Sequence, residues 1–153
     1  MNSTAEPLRA WAKGCYPLEA AVELLVRAFD GRFASPGCPW ICATSDEDGW
    51  WVDATAITED AIGYASSGER KLLLIAASLA GGDPVQMDDV IPGLDRGLIQ
   101  LVLAAISHTG GCHEHADIRI DHTRRVSILA GRLPALVPWP GGNDHVRERA
   151  DLG

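Results

Sequence analysis

His108, Cys112, His113 and His115 place three imidazoles and one thiol within eight residues, a mixed donor set that zinc accepts. The twin glycines Gly110-Gly111 would let so short a segment wrap around one ion. The spacing is not that of a recognised zinc motif, and the same residues also read as a polar loop after a helix end, with His108 placed favourably at the negative terminus. No cofactor is required on this reading, and zinc is the one candidate. Cys38 and Cys42 lack the two-residue spacing of zinc knuckles and redox pairs, so they read as small apolar side chains. Nucleophilic catalysis has no signature: there is no Gly-x-Ser-x-Gly elbow and no cysteine in a known nucleophile context. Asp46, Glu47 and Asp48 are contiguous carboxylates on a turn, where like charges are solvated, and a calcium loop would need further oxygen ligands at set intervals. The chemistry-bearing residues therefore point away from an enzyme.

They point instead to binding. Trp40, Trp50 and Trp51 surround one predicted hairpin, and tryptophan is strongly enriched at interface hot spots. Side chains alternate faces along a strand, so at most one of Trp50 and Trp51 faces the core of a one-sided sheet. The other needs a cover, or it is a contact for another chain. The acidic tip Asp46-Glu47-Asp48 adjoins this surface.

The elements that position these residues are legible as patterns. Leu8 to Lys13 reads as a short helix stopped by Gly14. A core helix starts with Pro17 in its first turn, presents Leu18, Ala21, Val22, Leu25 and Phe29 at helical spacing, and ends at Gly31. Two prolines and a glycine between Arg32 and Pro39 mark an irregular loop. Trp40 to Thr44 and Trp50 to Ala56 flank a polar, glycine-terminated stretch, as in an antiparallel hairpin. A helix from about Ser67 to Ala80 buries Leu72, Ile75, Ala76 and Leu79, and its start carries a capping box. Another, from about Leu94 to His108, presents Leu98, Leu101, Val102, Ala105 and Ile106. Asp117 to Asp121 and Val126 to Leu129 form a second hairpin. The fold class is α+β: three substantial helices and a short amino-terminal one packed on small antiparallel hairpins. The domain expectation is one globular unit over residues 1–142 and a charged tail over 143–153 whose composition suits disorder.

At 153 residues and 46% hydrophobic, the chain has room for one core and no second domain. A net charge of -8 repels a phosphate backbone, and the basic residues do not cluster beyond Arg124-Arg125, which weighs against nucleic acid as a partner. No apolar run is long enough to cross a bilayer and no secretory leader is visible, so the expected location is the cytoplasm, with reduced thiols and no membrane partner. Eleven arginines beside two lysines, with abundant alanine and glycine, suit a high-GC genome, and the chain resembles small proteins of actinobacteria and their phages.

Residues 65–95 carry a further pattern. Ala65-Ser66-Ser67-Gly68-Glu69-Arg70-Lys71 precedes an apolar helix, Asp88-Asp89 follows, and then Gly93-Leu94-Asp95. Order and spacing resemble the signature helix, Walker B pair and D-loop of ABC-type ATPases. The resemblance implies that Ser67 and Gly68 contact a γ-phosphate, that Asp88 orients magnesium-bound water, that Asp89 takes the place of the catalytic glutamate, that Asp95 is the D-loop aspartate and that His122 stands near the switch histidine. Nothing upstream is a phosphate loop, because Lys13 and Lys71 are the only lysines and neither follows a glycine. The expected function is thus a non-enzymatic cytoplasmic interaction module, an inhibitor or adaptor of a mobile element or phage, acting through an acidic, tryptophan-bearing surface on a protein partner or on itself. The alternative is an ATPase-like fragment that binds nucleotide only beside a partner supplying the phosphate loop.

Overall fold

Pro17 sits in the first turn of the helix on which the fold is built, where its missing N–H costs nothing. In a computed structural model, which describes residues 4–141, this helix is α2 (Tyr16–Arg27), and it packs against α1 (Ala5–Ala12), α3 (Ser67–Leu79) and α5 (Arg96–Thr109). Ala20, Ala21, Val22, Leu24 and Leu25 are all buried, and the two alanines let neighbouring helices approach closely. A four-residue helix, α4 (Met87–Val90), connects α3 to α5. Strands β1 (Ile41–Ala43) and β2 (Trp50–Val52) form one antiparallel pair, and β3 (Ala116–Asp121) and β4 (Val126–Arg132) form another. The architecture is α+β, as the patterns imply. The expected tail at 143–153 lies outside the described residues.

Helix ends follow their local chemistry. Ser66 Oγ accepts from the Glu69 amide and Glu69 Oε2 accepts from the Ser66 amide at 2.8 Å, the reciprocal capping box expected at the start of α3. Asp95 Oδ1 accepts from the Leu98 amide at 2.8 Å and caps α5. The end of α2 departs from expectation. Phe29 does not continue the helical stripe, because the helix stops at Arg27 and Phe29, Asp30 and Gly31 adopt φ of 51°, 55° and 74°. This left-handed turn swings Phe29 edge-on to Phe33, with ring centroids 5.6 Å apart. Aromatic packing in the core overrides the helical period there.

Trp40 anchors the first hairpin. It is fully buried, lies 6.2 Å from Phe33 ring to ring, and donates its indole N–H to the Phe33 carbonyl at 2.8 Å. The β1–β2 register pairs Ile41 with Val52, Cys42 with Trp51, and Ala43 with Trp50. Ile41 and Val52 face the core.

Trp40→Ala is expected to cost about 3–5 kcal/mol of unfolding free energy, while Trp40→Phe, which keeps most of the volume but orphans the Phe33 carbonyl, costs about 1–3 kcal/mol. Urea denaturation of both variants tests the ranking; equal losses would mean that the ring volume kept by phenylalanine contributes nothing.

Candidate functional site

The tryptophans divide by depth. Trp40 is a core residue and is removed from the candidate surface, because its ring fills the space behind β1 and its N–H is satisfied internally. Trp50 lies on the same face as Ile41 and Val52 and packs against the core. Trp51 points to the opposite face, where Trp11 of α1 covers it at a centroid distance of 6.5 Å. Both are half-buried, so neither presents a free indole. Asp46, Glu47 and Asp48 are exposed at the tip, which the Thr44 amide closes by donating to the Gly49 carbonyl at 2.9 Å.

The nucleotide candidates are distributed among structural roles. The side chains that cap α3 are Ser66 and Glu69, and Glu69 also pairs with Arg32. The Ser66 amide hydrogen bond, with the Arg32 guanidinium beside it, holds the Glu69 carboxyl below its ordinary range. Gly68 faces Leu98, and a Cβ there would sit 3.4 Å from Leu98 Cδ1. Lys71 donates to the Pro92 carbonyl. Asp88 and Asp89 are exposed on α4, and the Asp95 carboxylate is occupied as a cap. Among the described residues, no side-chain hydrogen bond joins Ser67, Gly68, Asp88, Asp89 and Asp95 to one another. His122 is exposed at the β3–β4 turn.

The zinc candidates do not converge. His108 and His113 stack face to face, with centroids 4.2 Å apart and planes 9° from parallel, and the Tyr16 ring lies edge-on to both. Imidazole lone pairs lie in the ring plane, so parallel stacked rings direct them side by side rather than toward one ion. His108 Nε2 is hydrogen bonded to Glu19 Oε1 at 3.1 Å. His115 is exposed, and among the described residues no group of three or more His, Cys, Asp or Glu side chains is placed to hold a metal. The cluster is an aromatic seam between α2 and α5. Cys38 and Cys42 are half-buried free thiols, and burial raises the Cys38 pKa.

A charged cleft that the patterns do not reveal lies between α1, α2, α5 and the segment after β4. Arg9, Lys13, Glu19, Glu23, Arg27, His108 and Trp139 line a space of about 280 Å³. Glu23 accepts from Arg9 Nε at 2.6 Å and from Arg27 Nε at 2.5 Å. Burial works to raise the Glu23 pKa, but the two guanidinium hydrogen bonds outweigh it and hold the carboxyl below its ordinary value. Arg27 also lies over the Trp139 ring, 5.3 Å from its centroid, and donates to the Pro140 carbonyl at 2.8 Å. The cleft thus ties the returning chain to the body.

Between α5 and that return the chain projects as the β3–β4 hairpin. It leaves through Gly111, whose φ of 72° suits glycine and where a Cβ would sit 3.1 Å from the Tyr16 ring. It returns where the Val137 amide donates to Ser107 Oγ at 3.2 Å. None of the hairpin's side chains joins the core cluster, and every residue of β4 is exposed. The register pairs Ile118 with Leu129, Ile120 with Ser127, Arg119 with Ile128, and Asp121 with Val126. One face therefore carries Ile118, Ile120 and Leu129, exposed to 62%, 63% and 73%. The alternation of Ile118 and Ile120 with charge is the signal that reveals this face in the sequence.

Comparison with protein-family models, curated proteins and solved structures finds no match for the chain.

Glu23→Gln is expected to cost about 2 kcal/mol, because a neutral amide removes the carboxylate shared by Arg9 and Arg27 and leaves Arg9 only the exposed Glu6. The Glu23 carboxyl is depressed on folding, so its stabilisation is present above the unfolded-chain pKa of about 4.3 and is lost as pH falls through the lower folded value. Melting temperature measured from pH 7 down to pH 3 should fall more steeply for the parent than for Glu23→Gln. Parallel curves would remove Glu23 from the acid response.

Proposed function

We propose that the chain is a non-enzymatic protein–protein interaction module and that its docking element is the β3–β4 hairpin. One observation supports this reading above the others: Ile118, Ile120 and Leu129 share a face that the body leaves uncovered. A large apolar side chain moved from such exposure into an interface contributes about 1–2 kcal/mol. Three together approach the scale of an interface hot spot. An isolated two-stranded hairpin is marginal in water, so a partner that covers the face also stabilises the element that binds it.

Both ends of the hairpin are fixed, one by the Gly111 turn against Tyr16 and the other by the Arg27–Trp139 contact. Fixing the base lowers the entropy lost on docking. The half-covered Trp50–Trp51 surface and its acidic tip are secondary contacts in this reading. A body of this kind with one projecting adhesive hairpin suits an adaptor or inhibitor, which occupies a surface rather than converting a substrate.

The double variant Ile120→Ser, Leu129→Asp tests the proposal. Neither residue belongs to the core, so the melting temperature should move by no more than about 4 °C. Protein captured from a host lysate by the parent chain should be lost by the variant. Retention of the same captured protein at parent levels would sink the assignment of the hairpin as the docking element.

A further inference from the structure

We infer that two copies of this chain associate through the outer edge of β3, forming a four-stranded antiparallel sheet in the order β4, β3, β3, β4. The inference rests on the reading of the hairpin as a docking element and names the occupant of its open edge.

Each strand of a two-stranded sheet has one unpaired edge, and among the described residues the β3–β4 sheet contains no third strand to cover either. The edges are not equivalent. On β4, Gly131 and Leu129 stand opposite Asp117 and Ile118, so Ala130 is an extra, bulged residue, and Gly131 has φ of 124°. A bulge spoils an edge for further pairing. The extra residue lies on β4, whereas every residue of β3 from Ala116 to Asp121 has a partner, so β3 offers the regular template.

The residues along that edge are complementary to themselves. A two-fold axis perpendicular to the sheet keeps the apolar face on one side and requires the axial residue to stand opposite its own counterpart. With the axis at Ile118, five residues pair within the strand, Ala116 to Ile120. Asp117 then faces Arg119 of the second copy and Arg119 faces Asp117, two opposite-charge pairs on the face that these residues share with Val126 and Ile128 of β4. Ile118 meets Ile118, and cross-strand pairs of both kinds are stabilising. With the axis at Arg119, the arginines would face each other and each Asp117 would face an Asp121. With the axis at Ile120, only residues 119–121 overlap within β3. Charge and overlap together select Ile118. In the single chain Asp117 and Arg119 already form an exposed ion pair at 3.6 Å, so both are oriented on the same face.

The hairpin is also the basic part of an acidic chain: Arg119, Arg124, Arg125 and Arg132 stand against Asp117 and Asp121 over residues 116–132, while the whole chain has a net charge of -8. Pairing through the hairpins joins two copies at a segment that lies outside the chain's acidic surplus. It leaves the face of Ile118, Ile120 and Leu129 open and doubles its width.

Sedimentation equilibrium on five samples tests the inference: the parent, Asp117→Arg, Arg119→Asp, the double swap, and an equimolar mixture of the two single variants. The parent should dimerise. Each single variant places like charges opposite at two symmetric positions and should weaken dimerisation by about tenfold or more. The double swap restores opposite charges and should return to within about threefold of the parent. The mixture should form heterodimers, which also shows that both single variants are folded. A parent that stays monomeric at about 1 mM overturns the inference, as does a dimer whose affinity ignores both single reversals. If the parent is monomeric while the Ile120→Ser, Leu129→Asp chain still loses its captured protein, the second copy is rejected and the hairpin remains a docking element for another protein.

Discussion

Close approach to α2 is the constraint on which this structure depends. Ala20 and Ala21 present almost no side chain, so α1, α3 and α5 can lie against one helix while Leu24 and Leu25 fill the spaces between them. Because α2 is shared, its orientation sets the positions of the others. The left-handed turn after Arg27 then redirects the chain, so that Phe33 and Trp40 close the core and β1–β2 is laid beside α1. Glu23 serves the same arrangement at the rim: one carboxylate binds Arg9 of α1 and Arg27 of α2, and Arg27 reaches Trp139 and Pro140.

The β3–β4 hairpin obeys different energetics. The body is held by burial, whereas the hairpin has backbone pairing and cross-strand neighbours and almost no apolar area removed from water. Its persistence as a defined element depends on the fixed base at Gly111 and at the Ser107–Val137 hydrogen bond. A rigid body carrying an underfilled sheet separates two tasks in one small chain: the helices supply stability, and the hairpin offers unsatisfied surface and edge.

The rest of the candidate chemistry is absorbed by this arrangement. The serine, glycine and glutamate that begin α3 make a helix cap and a glycine contact with Leu98. The histidines after α5 become a stacked seam against Tyr16. At the start of α3 residue types suited to ligands finish a helix end, where orphan amides require polar partners, and after α5 they pack across to α2, with His108 bonded to Glu19.

Helices α1, α2, α3 and α5, the capping box of α3 and both hairpins were legible in the sequence, because each depends on residues within about four positions of one another or on simple alternation. So was the demand that one of Trp50 and Trp51 find a cover. The identity of that cover, Trp11, was not, nor were the Glu23 network, the return of Trp139 over Arg27, or the loss of Phe29 from the helical stripe. Those are contacts between residues distant along the chain, or a local preference overruled by them, and no local rule encodes which distant surface arrives. The alternation of Ile118 and Ile120 determined that one face of β3 is apolar. Only the tertiary structure decided that the body does not cover it, because the direction in which the chain leaves α5 is fixed by the packing of Gly111 against Tyr16.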